Sequence, residues 1–152
     1  MNYDEKYIHF VVLFNVDEDY FECHEVMEEL WLEEGRNLFY QGLLQVAVGL
    51  HHWRNDNYSG AVKLFTAALE KLEGYPDDHM GLNIEQVRHH SRHALEPLEK
   101  YVSGLSDRTK AGAAPRFEAF KIEVTDPLLA SAAGELAKIP LEQRLHGDNA
   151  HD

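Results

Sequence analysis

The sequence predicts an all-α protein, a compact array of about five helices followed by a short, less regular C-terminal extension. Three observations carry that expectation. Apolar residues recur at helical rather than alternating spacing through most of the first 104 residues. Capping pairs and helix-stopping glycines punctuate those stretches. The composition then changes after Gly104. Residues 1–104 are therefore read as a helical domain, and residues 105–152 as a linker, a short helix and a frayed tail packed on it or trailing from it. A chain of 152 residues is long enough to bury a core without staples.

Residues 4–14, DEKYIHFVVLF, form the first expected helix, packed through Ile8, Val11, Val12 and Phe14, although the β-branched pair also suits a strand. Asn15 followed by Glu18 matches a capping box, and Asp17 and Asp19 place negative charge where a helix N-terminus favours it. Helix two is thus expected over 17–34, with Gly35 stopping it. Helix three, 36–54, has no charged side chain between Arg36 and Arg54. It is short of a membrane span and contains Gln41, Gln45, His51 and His52, so it reads as the central core helix. Gly42 and Gly49 share one side of it, where another backbone or a ligand could approach.

Asn55-Asp56-Asn57 is turn chemistry, and Ser59 is placed to cap helix four, 60–73. Ala61, Leu64, Phe65, Ala68, Leu69 and Leu72 give that helix one apolar face before Gly74 and Pro76 end it. Asn83 with Gln86 opens helix five, 84–103, whose apolar face is Ile84, Val87, Ala94, Leu95, Leu98 and Val102, with Pro97 inside it. His89, Arg92 and His93 lie opposite that face and read as solvated. Residues 106–116 are linker-like, Phe120, Ile122 and Val124 have a weak strand pattern, and Asp126-Pro127 caps a short last helix to 138. The end, from Pro140, reads as frayed.

With 27 acidic against 14 basic residues the net charge is −13, which excludes nucleic acid and anionic membranes as natural partners. The N-terminal stretch lacks a basic segment followed by an apolar run, so the protein is expected to be soluble and cytoplasmic. A single cysteine rules out an internal disulfide, and Cys23 reads as a small buried residue. No Gly-rich phosphate loop is present. None of the ten histidines has Glu three residues before it, which weighs against a ferritin-like di-iron centre.

The centre of interest is FECHEVMEELW, 21–31. At about 100° per residue His24 and Glu28 fall among Phe21, Trp31 and Leu32, while Cys23, Val26, Met27 and Leu30 occupy the opposite side. A helix apolar on two sides is expected to be buried on both, Trp31 included. His24 and Glu28 are one turn apart, close enough to share a hydrogen bond, a metal or a ligand. On helix three Gln41, Gln45 and His52 form a polar stripe free of charge, and His51 lies on a different side. His24-Glu25-Val26-Met27-Glu28 also looks like the zinc-peptidase HExxH helix with its last ligand replaced by Glu, a carboxylate being able to ligate zinc.

The segments FNVDEDYFECHEVMEELW and FYQGLLQVAVGLHHWRNDNYSGAVKLF resemble the bacterial and archaeal family catalogued as domain of unknown function 309. Asn15, Tyr20, His24, Glu25, Glu28, Trp31, Gln41, Gly42, Gln45, Asn57 and Gly60-Ala61 stand at the places of its recurring pattern. The resemblance is specific over 14–73, looser to 103, and does not cover the tail. It implies a compact array of about five helices, no established activity, and one site shared by the polar residues of helices two and three. Two functions follow as expectations. In the first, a buried His24/Glu28/Gln45/His52 cluster fixes the packing of a non-enzymatic domain that binds a protein or a small molecule, with homo-oligomerisation left open. In the second, His24, Glu28 and His52 hold a divalent metal, the one candidate cofactor, in a metal-dependent hydrolase.

Overall fold

In the computed structural model, which describes residues 3–105 and 112–146, the chain is all-α. The helices run in the order α1 (Glu5–Val12), α2 (Tyr20–Glu33), α3 (Leu38–Arg54), α4 (Tyr58–Leu72), α5 (Ile84–Gly104), α6 (Pro127–Ala137) and α7 (Leu141–His146). A π-helical turn at Leu13–Asp17 continues α1, and the two-residue strands β1 (Asp78–His79) and β2 (Leu82–Asn83) form a hairpin. No helix among the described residues is long and apolar enough to cross a membrane.

Local chemistry sets the helix starts. Asn37, Asn57, Asn83 and Asp126 each accept backbone N–H bonds at the start of α3, α4, α5 and α6, with Pro127 in the first turn of α6. Gly35, at φ +68°, follows α2 in the left-handed conformation expected of a stop. Three starts or joins differ from expectation. Helix two begins at Tyr20, because Asp19 rather than Asn15 caps it by accepting from the Glu22 N–H at 3.1 Å. Asn57 replaces Ser59 as the cap of α4, accepting from the Gly60 N–H. The hairpin was unexpected: Met80 and Gly81, at φ +48° and +79°, supply the two left-handed residues that a tight two-residue turn requires.

The core is centred on α3. Tyr7, Phe10, Phe14, Tyr20, Met27, Phe39, Leu43, Leu50, Phe65 and Leu72 are fully buried around it. Gly42 and Gly49 admit α4: a Cβ at Gly42 would lie 2.9 Å from Leu72, and one at Gly49 would lie 3.2 Å from the Phe65 ring. The close approach on that side is therefore made by a neighbouring helix. On α5, Ile84, Val87, Ala94 and Leu98 are buried as the periodicity requires, but so is Arg88. Its guanidinium donates to the Leu72 and Tyr75 carbonyls at 3.0 and 3.2 Å and pairs with Asp77, so a buried charge satisfies the end of α4.

The tail packs on this core. Ile122 and Leu129 are buried in the same apolar cluster as α1 to α5, and Val124 makes an antiparallel bridge to Leu82. Asn15 clamps the extended segment by donating to the Ile122 carbonyl and accepting from its N–H, both at 2.8 Å. Trp53 donates its indole N–H to the Pro115 carbonyl at 3.0 Å. The expected weak strand is thus part of an extended strap, residues 112–126, with Phe120, Ile122 and Val124 turned toward the core. Of the expected linker, residues 106–111 lie outside the described residues, as do 147–152 at the end. Leu141–His146 is helical where fraying was expected, because Arg144, its side chain only 3% exposed, pairs with Asp17 of the π-turn at 2.9 Å.

The Phe65 ring fills the space left by Gly49, so Phe65→Ala should cost about 3–5 kcal/mol. Phe21→Ala, at a residue 51% exposed, should stay within about 0.5 kcal/mol. Urea unfolding of the two variants measures this, and equal losses would contradict the packing described. His9 gives a pH-dependent prediction. Burial, and then the nearby Arg144, lower its pKa, with Asp17 opposing them more weakly. As pH falls through about 6.5 the unfolded chain binds the proton first, so stability declines from near neutrality toward the lowered folded value. His9→Gln should flatten that decline in urea midpoints measured from about pH 7.5 to 5.5, and parallel curves would disprove the linkage.

Candidate functional site

Helix α2 packs one side into the core through Cys23, Met27 and Leu30, all fully buried. The opposite arrangement expected for Phe21 and Leu32 does not occur, since each is 51% exposed. One neighbour, α3, covers this flank only in part, so the helix is buried on one side and edged on the other. Trp31 is half-buried at that edge, with the Arg36 guanidinium 5.2 Å from its ring centroid. The expectation of a buried cluster is accordingly corrected: the His24 side chain is 35% exposed and that of Glu28 46%.

Within this edge the i, i+4 relation holds. His24 Nε2 lies 3.2 Å from Glu28 Oε2, and Nδ1 lies 3.6 Å from Glu25 Oε1. Candidate ligand atoms of His24, Glu25 and Glu28 all fall within 4.8 Å of one another. Both imidazole nitrogens thus face carboxylates, and the triad comes from barely more than one helical turn.

The contribution of α3 differs from the expected one. Gln41, Gln45 and His52 are all half-buried, and among the described residues Gln45 Oε1 is a buried acceptor with no hydrogen-bond partner, as Trp31 Nε1 on α2 is a buried donor with none. His52 turns to the next connection, its Nδ1 3.2 Å from the Asn57 amide nitrogen. His51 is the histidine that meets α2, its ring 6.0 Å from that of Phe21. Burial, and then His52 and Arg54, lower the pKa of His51, and His24 adds to that effect. His52 is therefore replaced by Glu25 as the third member of the metal-competent group, while His51 is the α3 neighbour. The apolar side shared by His51, Leu44 and Tyr40 could have signalled this, since it is the side that faces a helix.

Cys23 is fully buried and its thiol is pushed well above its ordinary pKa by that burial. It packs as the small apolar residue expected, with Sγ 3.9 Å from the Phe10 carbonyl. His89, Arg92 and His93 are exposed, as the wheel of α5 predicted. What the sequence did not disclose is that His89 and His93 also line a half-open cavity of about 600 Å³ between α5 and the strap.

The fold and this edge define a class: an all-α protein with an open His/Glu triad beside its central helix. Residues 7–64 match the family described as Domain of unknown function (DUF309). The uncharacterized protein YpuF of Bacillus subtilis (strain 168) is 39% identical over 74 residues, which is 47% of this chain and 42% of that protein. An uncharacterized protein of Aquifex aeolicus (strain VF5) is 28% identical over 84 residues, 53% of this chain and 25% of that one. The chain spans less than half the length of these curated relatives. The matched segment holds α2, α3 and the start of α4, hence the whole triad, His51 and His52, but neither α5 nor the strap.

Because the triad is half-exposed, His24→Gln should change stability by no more than about 1 kcal/mol, the range of surface ion pairs. Glu28→Gln and His52→Ala should be additive within about 0.5 kcal/mol in urea unfolding, since His52 bonds to Asn57. A larger coupling would restore the single closed network.

Proposed function

We propose that the protein is a non-enzymatic binding domain whose α2 edge holds a divalent transition metal through His24 and Glu28, leaving coordination positions for a ligand that docks there. The observation that carries this reading is the 3.2 Å separation of His24 Nε2 and Glu28 Oε2. Two donors each about 2.0–2.1 Å from zinc and set at a tetrahedral angle lie roughly 3.3 Å apart, so the pair needs almost no movement to ligate. Glu25, facing Nδ1, then has the orienting role that carboxylates commonly play toward the second nitrogen of a metal-bound imidazole. An edge with so few protein ligands favours capture of a donor ligand over a closed structural site. A reducing, cytoplasmic setting fits the single buried thiol.

Hydrolysis is less well supported. A hydrolytic centre needs walls that position substrate and exclude water, whereas the 600 Å³ cavity is lined by α5 and strap residues and by Trp53, none of them in the triad. Calorimetric titration of the untagged protein with Zn²⁺ tests the proposal. His24→Ala and Glu28→Gln should each weaken the metal site by about tenfold or more, and bound metal should raise the unfolding midpoint. Binding that is absent, or unchanged in both variants, would remove the triad from consideration.

A further inference from the structure

The cavity between α5 and the strap carries a second assignment, independent of the α2 edge. Its walls are His89, His90 and His93 from α5, Arg116, Glu118 and Phe120 from the strap, and Trp53 from α3. Its volume of about 600 Å³ lies in the range that takes a small organic molecule. The polar side is unusual for this chain: four side chains able to carry positive charge face one carboxylate, in a protein whose net charge is −13. Arg116 makes no ion pair among the described residues, whereas the neighbouring Arg92 pairs with Glu73 at 3.4 Å. His89 and His93 stand one turn apart with rings nearly parallel, 18° between planes and 6.2 Å between centroids, so they present adjacent edges. The apolar side is aromatic. His90 stacks on Phe120 at 4.9 Å, and the Trp53 indole is held in place by its bond to Pro115.

We infer that this cavity binds a small organic anion, its phosphate or carboxylate group held by Arg116, His89 and His93 and its planar body lying against Trp53 and the stacked His90–Phe120 pair. A guanidinium and imidazolium groups donate charge-assisted bonds to an oxyanion, and an aromatic wall adds stacking area. Histidines gain their charge on acidification through the physiological range, so binding strengthens as pH falls. The charged and titratable groups facing the anion are His89, His90 and His93 on α5 and Arg116 and Glu118 on the strap, while Trp53 brings no charge from α3. Burial, and then the neighbouring His89 and His93, lower the pKa of His90, the ring that stacks on Phe120.

Phenyl phosphate is the probe, followed through the imidazole carbon–proton NMR signals and Trp53 fluorescence in a Trp31→Phe background. Saturable shifts confined to His89, His90, His93 and Trp53 are expected. Affinity should be about tenfold weaker at about pH 8 than at about pH 6, and Arg116→Gln or His93→Gln should each weaken it by about tenfold or more, as for loss of a charge-assisted bond. These residues are exposed, so the variants should fold, and His24→Ala should leave binding unchanged. No saturable shift overturns the assignment, as does binding indifferent to both substitutions. Inorganic phosphate bound as tightly as phenyl phosphate overturns the aromatic subsite and with it the organic-anion class.

Discussion

The absence of side chains at Gly42 and Gly49 allows α4 to lie directly on α3, and most of the architecture depends on that contact. Leu72 and the Phe65 ring occupy the room that two Cβ atoms would claim. Interior packing is dense enough that such space must be filled, so α3 is covered along one flank and left to α2 along the other. Because α2 occupies only part of that second flank, polar groups of both helices remain at a wetted edge. Further out, α4 carries α5 through the bonds from Arg88 to its last carbonyls. Each layer thus positions the next, with one candidate site on α2 and the other between α5 and the strap.

Much of the fold is legible where short-range chemistry decides it. Asn83 and Asp126 announce helix starts, Gly35 announces a stop, and the periodicity of α4 and α5 picks out most of their buried residues. Legibility fails where a distant partner decides. Asn15 has the sequence context of a cap, yet its amide serves Ile122, 107 residues away, and Asp19 takes over the start of α2. A buried Arg88 makes sense only once the end of α4 is beside it. Spacing identified His24 with Glu28, since a helical turn guarantees their proximity. The same spacing cannot tell which apolar flank of α2 finds cover, so it predicts for Phe21 and Leu32 an interior that they do not reach. His51 and His52 show the same limit, because neighbours in sequence point to different elements.

The two candidate sites have opposite electrostatic character. The α2 edge is acidic, with Glu25 and Glu28 around one imidazole, and attracts cations. The α5 cleft is basic, with imidazoles and Arg116 around one carboxylate, and attracts anions. A strongly acidic chain thus carries a locally positive recess beside α5, where the focused field of a low-dielectric cleft is felt most. The family likeness covers the acidic edge. The basic recess is built from elements beyond it, with Trp53 as the one residue from the matched segment.

The strap also bears on the order in which the molecule forms. Helices α1 to α5 pack mainly against their neighbours in sequence, contacts that close short loops at small entropic cost. Seating Ile122 under Asn15 closes a separation of 107 residues, and seating Arg144 on Asp17 one of 127. Such joins come late and slowly relative to local helix pairing. Until they are made, Trp53 and Phe14 lack part of their cover. The newly folded helical array therefore passes through a stage with aromatic surface still open, and completion of the protein is the docking of its own last quarter.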